Sequence, residues 1–370
     1  MKEFNRVFNG TDRAVYQLRA LYGDYGFKQY RMSKFEKYDL YAKNKDFLVS
    51  DNVITFTDTD GVLMALKPDV TVSIIKNGKD GAGVEKVYYN ENVYRVSKGT
   101  RSFKEFMQVG LECFGDIDEY EISEVVFLAV KSLETVSKDY ILDLSHLAVV
   151  KGVMENFNLS ADGVKKVTAY LAEKNAQGVF SACKEEGLSD NDAELVKKLV
   201  TVYGAPDKVI KEFKALDLGK CANDAIIQLE RIMLALSALG VSDKIRIDFS
   251  VVNDMNYYNG IVFNGFVSGI PTSIISGGQY DNLMAKFGRK DRAIGFAVYL
   301  DELEKLSSSA NEFDVDVAVE YGSLSDVALL NRKVKEITDG GESVFASKKI
   351  PEKIKYKRLI VLGGKDNENA

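Results

Sequence analysis

Residues 105–115 (EFMQVGLECFG) raise the first chemical question, because Met107, Val109, Leu111 and Cys113 alternate there with Gln108, Gly110 and Glu112. A period of two is the pattern of a strand. Gln108 and Glu112 therefore share one face and the apolar side chains share the other. An amide and a carboxylate on one face of a mostly apolar segment either meet solvent or line a pocket. Other polar residues occupy places where local structure alone explains them. Asp69 and Thr71 follow Pro68, which stops a strand, and either can cap a short helix running through Lys76. Arg95 closes a strand over 86–95 (KVYYNENVYR) and precedes a polar loop carrying Lys98, Arg101 and Lys104. That loop is solvated or meets phosphate. Tyr257 and Tyr258 open a strand over 257–267, which sends them to opposite faces, one of them to the core. Gly277-Gly278 serves as a tight turn or as the floor of a pocket.

Several other chemistries are excluded or confined by composition. The chain has one histidine, three cysteines and no tryptophan. A zinc site of several histidines is impossible, and Cys113, Cys183 and Cys221 form no close pair. Any Ser-His-Asp or Cys-His chemistry would have to use His146, which falls in an apolar helical pattern (LDLSHLAVV) and reads as a core residue. No metal is expected. The sparse, odd cysteine set does not describe a disulfide scaffold.

The elements that position these residues follow from periodicity. Val15, Leu18, Leu21 and Tyr22 predict a helix over 11–25, and Phe27 to Met32 a short strand. Residues 53–67 predict a hairpin around Thr59-Asp60-Gly61. Helices are predicted over 121–137 and 143–157, and the stretch from about 158 to 240 reads as all helix, with turns near Gly187 and Gly204. Ala222 to Leu239 reads as its clearest buried helix. Strands return at 245–252, 257–267, 272–276 and 293–298, with a helix at 280–287. Short strands joined mainly by hairpins imply an antiparallel sheet with helices packed on it. After a Ser-rich linker at 307–313, a strand–helix–strand–strand pattern predicts a small α/β module.

With 370 residues, two or three domains are expected, and 46% hydrophobic with 28% charged residues is ordinary for a folded protein. The net charge of −6 gives no basic footprint for nucleic acid. The first residues (MKEFNRVFNGTDR) lack the apolar core of a signal peptide, and no apolar run approaches the ~18–20 residues that span a bilayer. A cytoplasmic protein without membrane contact is expected.

Four segments together resemble the histidyl-tRNA synthetase family, of the class II aminoacyl-tRNA synthetases. Residues 66–76 (LKPDVTVSIIK) resemble its L-R-P-D/E-x-T segment, and 93–112 (VYRVSKGTRSFKEFMQVGLE) its motif 2. Residues 252–263 (VNDMNYYNGIVF) resemble R-G-L-D-Y-Y-x-G-x-V-F, and 276–303 the G-G-R-Y-D stretch followed by motif 3. They run in family order and span about 10–305. The resemblance implies an α+β fold: a class II synthetase-like antiparallel sheet flanked by helices. It assigns 1–154 and 241–306 to that core, 155–240 to a helical insertion, and 312–370 to a reduced anticodon-binding-like α/β module, too short for anticodon reading.

The residues that match the family's amino-acid pocket are Asp69, Thr71, Arg95, Gln108, Glu112, Tyr257 and Tyr258. The match implies a histidine-like ligand, with acceptors for its amino group, Arg95 for its carboxylate and tyrosines for its ring. Three matching positions depart from the synthetase. Ser97 replaces the motif 2 glutamate, Asn253 the arginine of R-G-L-D-Y-Y, and Glu302 the motif 3 arginine that grips ATP. Ser33 stands at the motif 1 proline position. An anion in place of a cation reverses an interaction of about 4 kcal/mol at ~4 Å and an effective dielectric of ~20. The resemblance therefore implies the family's non-catalytic branch, the regulatory subunits of short-form ATP phosphoribosyltransferase in histidine biosynthesis. It implies no cofactor, a dimer of this chain, a hetero-octamer with the catalytic subunit, histidine as effector and no tRNA partner. A divergent synthetase, or a synthetase-like paralogue with another partner, are the rival expectations.

Overall fold

The computed structural model describes residues 10–43, 53–78, 83–96, 102–252, 255, 257–304, 313–322 and 327–362. The chain divides into a unit of Thr11–Lys305 and a unit of Met1–Gly10 with Leu306–Ala370.

The first unit starts with α1 (Gly10–Asp24), whose Ala14, Val15, Leu18 and Tyr22 are buried, as their helical spacing requires. Then come β1 (Lys28–Gln29), β2 (Phe35–Lys37), α2 (Tyr38–Ala42), β3 (Thr55–Thr57), β4 (Leu63–Leu66) and α3 (Thr71–Asn77). The predicted hairpin is β3–β4. Asp58 Oδ1 accepts from the Asp60 and Val62 N–H groups (3.0 and 2.8 Å), and Gly61 takes the positive φ of 81° that the turn needs. Two long strands follow, β5 (Glu85–Val96) and β6 (Phe103–Gly115), paired antiparallel from Glu85↔Phe114 to Val96↔Phe103.

Next is α4 (Glu119–Val136), opened by a capping box. Asp118 accepts from the Tyr120 N–H (2.6 Å), and Glu121 accepts from the Asp118 N–H (2.9 Å). Residues 143–157 are not one helix. They are the end of β7 (Tyr140–His146) and all of α5 (Leu147–Asn156). Leu142 and Leu144 alternate with Asp143 and Ser145, and the strand's place between two partners decides for β.

Five helices follow: α6 (Ala161–Ala172), α7 (Ala176–Glu185), α8 (Asp190–Thr201), α9 (Pro206–Lys214) and α10 (Lys220–Ala238). Their starts are written in the sequence. Ser160, Asn175 and Ser189 cap α6, α7 and α8 through their side chains, and Pro206 opens α9. Helix α10 is amphipathic rather than buried all round, with Ile227 and Leu234 exposed.

The remaining elements of this unit are β8 (Ile245–Ile247), β9 (Ile261–Val267), β10 (Ile275–Gln279), α11 (Asp281–Lys286), β11 (Arg292–Tyr299) and α12 (Leu300–Glu304). Three predicted strands are shorter than expected, the one over 27–32 being only β1 and the other two being β8 and β9. β8 ends at Ile247 because Asp248 turns the chain, accepting from the Ser250 N–H (2.9 Å) and hydroxyl. β9 starts only at Ile261, so Tyr257 and Tyr258 precede it.

Eight strands form one sheet in the order β1-β5-β6-β11-β10-β9-β7-β8. It is antiparallel except at the parallel edge pairs β1–β5 and β7–β8. This is the expected mixed but mainly antiparallel class II sheet. One face is apolar and packs on α4 and α1 in the main core. A separate antiparallel sheet, β2-β4-β3, stands beside the other face. The second unit contains β12 (Val315–Tyr321), α13 (Val327–Asp339), β13 (Val344–Ser347) and β14 (Tyr356–Leu362). They form a parallel sheet of order β13-β12-β14, with Val317, Val319 and Ile337 at its centre. The predicted linker at 307–313 lies almost wholly outside the described residues.

Candidate functional site

The site is built on the polar face of the large sheet. Strand register places Glu112 opposite Gly295, and Gly295 opposite Gly278. Gly110, two residues before Glu112, lies opposite Tyr89 and Ala297. A Cβ on Gly295 would collide with the Glu112 carboxylate, and one on Gly110 with the Tyr89 hydroxyl. One on Gly278 would come 2.9 Å from the Tyr258 ring. Gly277-Gly278 is thus not a turn that ends a strand. It lies inside β10, where two adjacent faces leave no room for side chains.

On this floor Glu112 is almost fully buried and held by two donors. The Thr71 hydroxyl donates to Oε1 and the Tyr280 hydroxyl to Oε2, each at 2.6 Å. Burial pushes the Glu112 carboxyl up to about 8. The two hydrogen bonds pull it down, and the nearby Asp69 charge adds to the rise. Asp69 precedes α3, two residues before its first residue. Its Oδ1 accepts from the Val72 N–H (3.0 Å), and its carboxylate stays buried at the pocket. Burial raises its affinity for a proton, against the Val72 bond and the Arg95 charge. Arg95 is aimed by its own backbone neighbourhood, with Nε donating to the Pro68 carbonyl (2.9 Å).

Tyr257 and Tyr258 do not point to opposite faces of a strand. Their rings meet at 4.6 Å in an edge contact, and Tyr257 also packs on Tyr280 at 5.7 Å. Burial and the carboxylates keep Tyr257 and Tyr280 protonated. Gln108 is buried on the same face, four residues from Glu112, opposite Glu91 and Tyr299. It flanks the Glu112 group rather than bonding to it. The structure therefore gathers Asp69, Thr71, Tyr257 and Tyr258 around the Glu112 carboxyl, with Arg95 and Gln108 at its border.

Tyr280, Tyr89 and Tyr41 were not singled out by residue pattern. Tyr280 had a signal, since it sits in the GGQYD segment. Tyr89 and Tyr41 had none, because a tyrosine on a strand or a short helix is ordinarily a packing residue. Behind the pocket, Lys67 is fully buried and paired with Glu91.

A cavity of about 170 Å³ adjoins Arg95 and is lined also by Phe106, Met107, Thr272, Ser273, Tyr299, Asp301 and Glu302. Glu302 accepts from the Thr272 hydroxyl (2.8 Å), and Asp301 from the Met107 N–H (3.3 Å). Among the described residues that line this cavity, Asp301 and Glu302 carry carboxyl groups and Arg95 is the one arginine. Ser97 and Asn253 lie outside the described residues. Among the described residues no group of three or more His, Cys, Asp or Glu side chains is placed to hold a metal ion, and no helix is long and apolar enough to cross a membrane.

His146 belongs to none of this. It caps α5, its Nδ1 accepting from the Ala148 N–H (3.2 Å), which leaves Nε2 to donate to Gln228 Oε1 (2.9 Å). It is a satisfied core residue at a strand–helix junction rather than in mid-helix.

Residues 7–303 match the family model for histidyl-tRNA synthetase. The chain belongs to this family. Within it, a curated relative from Ruminiclostridium cellulolyticum, named ATP phosphoribosyltransferase regulatory subunit, is 28% identical over 82% of this chain and 75% of its own length. A relative of the same name from Oceanobacillus iheyensis is 24% identical over 97% of this chain and 90% of its own. Among solved structures, an ATP phosphoribosyltransferase regulatory subunit/histidyl-tRNA synthetase from Bacillus halodurans superposes with a TM-score of 0.78 at 23% identity, covering 96% of this chain and 94% of that one. At that identity the likeness establishes the fold.

Proposed function

We propose that this chain is the non-catalytic regulatory subunit of a short-form ATP phosphoribosyltransferase, the first enzyme of histidine biosynthesis. The relatives that bear this name support the reading. So does the name of a structural neighbour, the ATP phosphoribosyl transferase (HisG:HisZ) complex from Thermotoga maritima, with a TM-score of 0.62 over 78% of this chain.

The observation that carries the proposal is the contrast between two neighbouring spaces. Around Glu112 the chain keeps a complete set of acceptors and phenols suited to an amino acid with an imidazole ring. Beside Arg95, where adenylation would need cations on a nucleotide, Asp301 and Glu302 supply anions. A site that keeps the amino-acid residues while Glu302 stands at the ATP-gripping position acts as a sensor, since phosphoryl-type chemistry depends on positioned positive charge.

In this reading the chain activates the catalytic subunit within a hetero-octamer and carries a dimer of its own. Histidine in the Glu112 pocket favours one arrangement of that assembly and so inhibits it, a population shift between two states. Adenylation and aminoacylation are lost, and the residues of 312–370 form a reduced module that reads no anticodon.

Reconstitution with a short-form catalytic subunit tests the function. The expected result is activation by this chain and inhibition on adding histidine; no association, or no activation, rejects it. Histidine-dependent ATP–pyrophosphate exchange by the purified chain would instead favour a divergent synthetase. For the pocket, Glu112→Ala is expected to weaken histidine inhibition at least tenfold, by removing an acceptor that a buried ligand needs. Unchanged inhibition in a folded variant would move the effector site elsewhere.

A further inference from the structure

The atom near this pocket that local structure does not account for is the Tyr41 hydroxyl. The whole Tyr41 side chain is buried, yet its oxygen has no hydrogen-bond partner among the described residues. Buried hydroxyls are ordinarily paired, and leaving one unpaired is unfavourable.

Its position relates it to the acidic end of the pocket. Helix α2, which carries Tyr41, packs on β2 and β4. From β4 the chain runs through Lys67 and Pro68 directly into Asp69. Tyr41 shares one buried cluster with Val70, Tyr89 and Tyr280, and Tyr257 and Tyr258 pack against that cluster. Burial keeps the hydroxyl protonated, and the charges of Asp69 and then Glu36 act in the same direction. Glu36 is engaged elsewhere, accepting from the Ser73 hydroxyl (3.2 Å) and the Lys76 ammonium (3.1 Å). Asp69 remains, the carboxyl group that follows directly on the strand against which α2 packs. An ammonium has three donors, enough for a carboxylate and a phenol oxygen together. A phenol that is buried, neutral and unbonded is ready to accept one of them without a competing bond being broken.

We infer that Tyr41 is a ligand contact, its oxygen accepting a hydrogen bond from the free ammonium of the bound α-amino acid, beside Asp69. This rests on the reading of the Glu112 pocket as a histidine site. It adds a selectivity rule: ligands that keep the imidazole and carboxylate but lack the ammonium lose this contact.

Calorimetric titration of the full chain with L-histidine and with its des-amino analogue, imidazole propionate, tests the inference. The wild type is expected to bind L-histidine at least tenfold more tightly than the analogue. Tyr41→Phe keeps the ring and removes only the oxygen. It is expected to weaken L-histidine about tenfold, to leave the affinity for the analogue unchanged, and to melt no lower than wild type when free of ligand. Equal L-histidine affinity in the variant, equal losses for both ligands, or a lower melting temperature of the free variant would each overturn it. If the wild type binds L-histidine and only Glu112→Ala weakens it, the pocket reading stands and the Tyr41 contact falls. If the wild type binds no L-histidine, both fall.

Discussion

Glu112 shows how burial and hydrogen bonding compete at a single carboxyl. Two donors at 2.6 Å stabilise its anion, yet desolvation prevails and the group titrates at about 8. In the unfolded chain a glutamate titrates near ~4.3. Between those values the folded state holds a proton that the unfolded state has released. Its contribution to stability is therefore present at low pH and is lost as pH rises through the folded value. Thermal denaturation from about pH 6 to about pH 9 is expected to show a fall in melting temperature that Glu112→Gln reduces; an equal fall in both proteins would contradict the burial argument. Gly295 belongs to the same residue-scale device. A methyl group there occupies the space of the Glu112 carboxylate. Gly295→Ala is expected to cost about 1–3 kcal/mol by overpacking and to weaken histidine binding more than tenfold, as read by chemical denaturation and calorimetry.

At the scale of elements, local chemistry accounts for many of the boundaries that the structure shows. Serine and asparagine caps start the insertion helices, Asp58 and Gly61 close the hairpin, and Asp118 with Glu121 opens α4. The misread stretch is 143–157. Its leucines fit a helical pattern as well as an alternating one, and pairing with β9 and β8 is what makes Leu142 and Leu144 strand residues. His146 marks the point where the strand becomes α5, and through Gln228 it ties that junction to α10. Burial lowers its proton affinity, so the ring stays neutral there. His146→Ala is expected to destabilise the protein by about 1–2 kcal/mol through the lost cap and to leave histidine affinity unchanged. Urea denaturation beside calorimetry checks both halves; a loss of affinity would place His146 in the site after all.

For the whole molecule, every described pocket residue lies within 11–304, and the second unit has a buried centre of its own at Val317, Val319 and Ile337. Truncation after Lys305 is therefore expected to leave histidine affinity within about threefold of the full chain. A larger loss would show that the pocket depends on the second unit. The sheet of the first unit explains why so many strands meet in one site: β5, β6, β10 and β11 each contribute a residue to a single polar face.

By itself the amino-acid sequence determined the class of fold, the absence of a multi-histidine metal site and the pairing of Gln108 with Glu112 on one face, because composition and a period of two are local properties of the chain. It also placed Asp69 and Thr71 two residues apart, with two explanations open. Only the tertiary structure decided that Thr71 and Tyr280 grip opposite oxygens of Glu112, that Gly277-Gly278 lies inside a strand rather than in a turn, and that the buried Tyr41 oxygen has no hydrogen-bond partner among the described residues. Those facts depend on contacts between residues separated by as many as 168 positions, and on desolvation, which has no value until the surrounding strands and helices are in place.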